Sequence, residues 1–97
     1  MTTLELIQNP PDLATLRGLF IAITPAQDAL IQAAQDANSN MRVSAVPLSD
    51  GRLALCADIL SEIHEGGIFH YAFSRLTLES INETEVLTLE QFKALSL

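Results

Sequence analysis

The chain has 97 residues, enough for one domain, 1–97, whose core is real but thin; Lys plus Arg number 5 against 12 Asp plus Glu, a net charge of −7. That charge disfavours nucleic acid and anionic membrane surfaces as direct partners, since both demand a basic footprint. A hydrophobic fraction of 48% excludes disorder along the whole chain, and the solitary cysteine excludes an internal disulfide framework.

The first predicted element is weak. Residues 1–8 contain TLELI, which reads as a short strand or a loose end. In NPPDLATLRGLF, Asn9 can cap a helix, Pro10 suits its first position and Asp12 lies in the first turn. Leu13, Leu16, Phe20 and Ile23 recur at helical spacing, so the leading expectation is a helix over 10–22. The run FIAI also suits a buried strand, which leaves helix-plus-strand as the alternative for 10–23.

The next element is better specified. Thr24, Pro25 and Gln27 form a capping box with proline at the first helical position. Ala26, Ala29, Leu30, Ala33, Ala34 and Ala37 then make an apolar stripe, predicting a helix over 25–38 that ends in Asn38-Ser39-Asn40.

From Met41 the pattern becomes strand, turn, strand. Asp50-Gly51 is a strong hairpin signal between MRVSAVPL and LALCADIL, and Pro47 belongs near a strand end or on an edge. The strand over 53–60 is apolar on both faces, as expected of a central strand covered on two sides. A second turn at HEGG, residues 64–67, would lead into a third strand, IFHYAFSRL, with its register left open. After the polar stretch 77–85, VLTLEQFKAL predicts a short strand or extended segment and a final helix of roughly 89–95, opened by the Thr88/Gln91 capping box. The expected architecture is α+β: an antiparallel three- to four-stranded meander with two N-terminal helices and a short C-terminal helix.

Motifs for chemistry are few. His64 and His70 are six residues apart across Gly66-Gly67, which breaks the helix that a two-histidine zinc site would need. A hairpin site with Glu62 depends on a turn register the sequence does not fix, and no metal or other cofactor is expected. Asp58 lies within an apolar run and should be held by Arg42, Arg75 or backbone donors. Cys56 sits in the same run, where an inert thiol is the default. The glycines match no nucleotide fingerprint, and no serine lies in a nucleophile elbow. The stripe Phe69, Tyr71, Phe73 has only Arg75 as a nearby cation, so packing against helices explains it better than base stacking.

The expectation is therefore a small non-catalytic accessory or regulatory protein that acts through protein–protein contacts as a homodimer. Residues 53–97 set Asp58, Glu62, Glu65, Glu79, Glu83, Glu85 and Glu90 against Arg75 and Lys93, so a basic protein is the second candidate partner. The alternative is a small-molecule-binding protein or minor enzyme with a pocket between sheet and helices, using Asp58, His70, Tyr71 and Arg75. With no basic residue ahead of its first apolar positions and no apolar run longer than LFIAI at 19–23, the chain is expected in the cytoplasm.

Overall fold

The computed structural model describes residues 1–36, 44–58, 60 and 76–97. In chain order the elements are α1 (Thr3–Gln8), α2 (Leu13–Leu16), β1 (Leu19–Ile23), α3 (Pro25–Asp36), β2 (Val46–Pro47), β3 (Leu53–Cys56), α4 (Leu78–Asn82), β4 (Glu85–Thr88) and α5 (Leu89–Leu95). The class is α+β, as expected. The four strands are all antiparallel to their neighbours in the order β2-β3-β1-β4.

That order corrects the meander. β3 pairs with β2 on one side and with β1 on the other, so a later strand cannot be its second partner. The expected third strand, 68–76, falls outside the described residues save for Leu76. β1 takes the centre instead, in register Phe20↔Cys56 and Ile21↔Leu55 with β3, and Phe20↔Leu87 and Ile21↔Val86 with β4.

The predicted helix over 10–22 is thus helix plus strand. Asp12, not Asn9, caps α2, its carboxylate accepting from the Thr15 N–H at 3.0 Å. The helix ends after one turn, where the Gly18 N–H bonds to the Thr15 carbonyl instead of continuing the ladder. LFIAI then becomes the central strand because it is apolar on both faces and both faces find cover. Ile21, Ala22 and Ile23 are all fully buried.

The amino terminus is neither strand nor loose end. Thr2 caps α1 by accepting from the Glu5 N–H at 3.2 Å. α4 likewise has a hydroxyl cap, Thr77, in a stretch that the sequence presented only as polar. α3 carries its expected box: the Thr24 N–H donates to Gln27 Oε1 at 2.9 Å and the Gln27 N–H to Thr24 Oγ1 at 3.1 Å. The hairpin also forms as expected, with Gly51 at φ 89° and the Leu48 N–H bonded to the Arg52 carbonyl at 2.8 Å. Pro47 lies on the edge strand β2, where its missing N–H costs no central ladder bond.

Strand alternation sorts the apolar residues onto two faces. Ile21, Ile23, Leu55 and, partly buried, Leu19, Leu53 and Val86 face a first core with Leu6 of α1, Leu16 of α2 and Ile31 of α3. Ala22, Ala54 and Leu87, with Phe20 partly buried, face a second core that includes Leu48, Phe92 and Leu95. The second face is crossed by α5, which leaves β4 without a linker. It reaches the β2 end of the sheet, where the Ser49 N–H donates to the Leu95 carbonyl at 2.7 Å and Leu48 bridges Ser96. Phe92 stacks on Phe20 with ring centroids 4.0 Å apart and planes 7° from parallel. Small side chains at Ala22 and Ala54 keep this side of the sheet low enough for a short helix to lie across it.

Candidate functional site

β3 is shorter than expected. It ends at Cys56, and Ala57 and Asp58 lie in a 3₁₀ turn. A straight strand through residue 60 would point Leu60 away from Leu53 and Leu55. The turn changes the period, and Leu60 joins them in the first core. Asp58 is accordingly half-buried at the end of a strand rather than enclosed within one.

Asp58 is placed beside Cys56. Partial burial pushes the Cys56 thiol above its ordinary pKa. The Asp58 carboxylate adds to the rise by hydrogen bonding to the protonated thiol and by its charge, while the Asp58 backbone and the Arg17 charge oppose it. A thiol kept protonated in this way is a poor nucleophile. The grouping Arg17, Cys56 and Asp58 follows from register: Phe20 opposes Cys56, so the residues just before β1 lie beside those just after β3. Arg17 has no local signal in the sequence because Cys56 and Asp58, 39 and 41 residues away in the chain, are brought to it by strand pairing.

Of the four residues expected to line a pocket, only Asp58 belongs to the described part. His70, Tyr71 and Arg75 lie outside it, as do His64, Glu62 and Arg42. Among the described residues no group of three or more His, Cys, Asp or Glu gathers as a metal site would require. Among the described residues, two hollows flank α1. One, of about 190 Å³, lies between the start of α1 and the α4–β4 corner, bordered by Thr3, Ile81, Thr84 and Val86. The other, of about 280 Å³, is bordered by Met1, Glu5, Leu6, Asn9 and Pro11. Neither includes Asp58. In the first, the Thr84 hydroxyl is 2.6 Å from both Thr3 Oγ1 and the Ile81 carbonyl, so these two hydroxyls already engage each other.

Besides the Thr84–Thr3 contact, two polar arrangements among the described residues join distant parts of the chain, and neither has a sequence motif that announces it. Gln27, only 3% exposed, donates through Nε2 to the Ser80 carbonyl at 2.7 Å and to Ser80 Oγ at 2.8 Å. Arg52 pairs with Asp50 at 2.7 Å and with Glu85 at 3.0 Å, clamping the hairpin to β4. The Arg52 hydrogen bonds lower the Asp50 pKa, and Asp50 in turn raises that of Arg52. Both arrangements bond within the chain, Gln27 buried and the Arg52 cluster partly exposed.

What the fold does present is apolar surface. On β2, Val46 is 45% exposed and shares the second sheet face with Ala54, its partner in the ladder. Leu89, at the start of α5, is 43% exposed, and no residue of α5 is buried. On the helical side Leu13 is exposed, and Leu30 is exposed together with Ala26, Ala29 and Ala33, so α3 turns Gln27 and Ile31 inward instead of the expected alanine stripe. No helix among the described residues is long and apolar enough to cross a membrane. The chain matches no protein-family model, no curated protein and no solved structure, so its own geometry carries the functional argument.

Proposed function

We propose that this is a small non-catalytic accessory or regulatory protein that works through protein–protein contacts, pairing with a second copy of itself through the sheet face that α5 crosses. The observation that carries the reading is the pair of apolar side chains left exposed at the flanks of that face, whose own floor of Ala22, Leu48, Ala54 and Leu87 is buried. A seven-residue helix with no buried residue is its cover among the described residues, and Val46 and Leu89 stand exposed at its flanks. Pairing with a second copy would remove these side chains from water, and a two-fold pair is the commonest closed solution. The acids need not oppose pairing if they lie at the rim, where salt screens them. The half-buried, proton-retaining Cys56 and the engaged polar groups around it support contact over catalysis. The test is light scattering coupled to size exclusion at micromolar concentration. A mass near twice the chain's 10.5 kDa is expected; a mass of 10.5 kDa that does not change on concentrating refutes the proposal.

A further inference from the structure

The two cores lie on opposite faces of the sheet and are held in different ways. The first gathers Leu6, Leu16, Ile21, Ile23, Ile31 and Leu55 from three helices and two strands, all essentially inaccessible. The second rests on α5, a helix of seven residues. A helix of that length has no stability of its own in water and persists only through docking. Its docking contacts are the Phe20–Phe92 stack, Leu95 in the second core, the Ser49–Leu95 hydrogen bond and the Leu48–Ser96 bridge. The capping box, with the Thr88 N–H bonded to Gln91 Oε1 at 2.8 Å, is internal to α5 and its junction and does not hold the helix down.

We infer that α5 is a releasable strap: it undocks from the second face as a unit while the first core and the strand ladder stay folded. Segments open separately when few fully buried contacts tie them to the rest, and α5 meets that condition. Undocking uncovers Phe20, Ala22, Leu48, Ala54 and Leu87, an apolar strip on the central strands and the hairpin. The strap thereby sets how much of that face is available at any moment. The inference concerns the isolated chain and does not depend on the self-association reading.

The test is native-state amide exchange on the full chain, followed residue by residue by NMR at a concentration where scattering shows one species. Phe92, Lys93, Ala94 and Leu95 carry the intrahelical amides of α5. They should exchange at least roughly ten-fold faster than the ladder amides of β1 and β3, with a weaker dependence on added denaturant, because less surface is exposed in the opening. Phe92→Ala should accelerate the α5 amides by roughly a further ten-fold, the scale of a lost aromatic pair, and leave the β1–β3 amides nearly unchanged. If α5 and β1 amides report one common opening, or Phe92→Ala shifts both sets together, the strap is an inseparable part of the fold and the inference fails.

Discussion

Gln27→Ala tests whether one buried amide joins the two helical segments that cover the first face. In the native state the Gln27 side chain makes three hydrogen bonds: Oε1 accepts from Thr24 N–H at 2.9 Å, and Nε2 donates to the Ser80 carbonyl and hydroxyl at 2.7 and 2.8 Å. Each is worth about 1 kcal/mol net, and the Thr24 N–H and Ser80 carbonyl lose a partner where water has little access. The expected loss is therefore about 3 kcal/mol, a large share of the roughly 5–15 kcal/mol that stabilises a domain of this kind. Urea unfolding followed by circular dichroism should show a lower midpoint at unchanged slope. Ser80→Ala removes one of the three bonds and should cost about 1 kcal/mol. The double variant should fall short of the sum, because the two single changes delete the same Nε2–Oγ bond. A Gln27→Ala loss below about 1 kcal/mol, or strict additivity with Ser80→Ala, would show that the α3–α4 junction is held by something else.

Thr88→Ala removes the cap of α5 and should cost about 1 kcal/mol in the same urea assay; an unchanged midpoint would mean the capping box is idle. The Cys56 thiolate should form at higher pH than in the unfolded chain, so the pH profile of iodoacetamide alkylation should lie on the alkaline side, and Asp58→Asn should move it back toward ordinary values. The sign for stability follows: a raised native pKa gives stability that is complete below the unfolded thiol pKa and is lost as pH rises through the native one. Val46→Asp should convert a dimeric species in size exclusion to monomer while leaving the melting midpoint within a few degrees, since Val46 is 45% exposed in the isolated chain. A dimer that survives Val46→Asp uses another surface.

The legible parts of the sequence were those in which the deciding partners are local. Both capping boxes, at Thr24 and Thr88, connect residues three apart, and the Asp50-Gly51 hairpin needs only a residue able to adopt φ 89°. The α+β class followed from the same signals. The misread segments depended on distant partners. LFIAI fits a helix or a strand equally by its apolar pattern, and it is a strand because β3 and β4 supply ladders on both sides. The Thr2 and Thr77 caps were present in the sequence, each with a glutamate or serine three residues on, but the helices they open are six and five residues long and show little periodicity. Of the candidate site, Asp58 moved from strand interior to turn, and its neighbours Cys56 and Arg17 became a group only through the β1–β3 register.

That register also explains why the two faces of one sheet differ. Along β1, Ile21 and Ile23 project to one side and Phe20 and Ala22 to the other, and β3 repeats the division with Leu53 and Leu55 against Ala54 and Cys56. Branched bulk on the first side requires several helices to enclose it, and α1, α2, α3 and α4 all contribute. On the second side Ala22 and Ala54 lie beside the larger Phe20, Leu48 and Leu87, and among the described residues one helix crosses this floor with Phe92 stacked on Phe20. The two alanines limit how firmly that helix is held, because they give Phe92 and Leu95 little area to bury. The fold thus encloses its branched residues under several helices on one side of the sheet and, among the described residues, lays one short helix over the other.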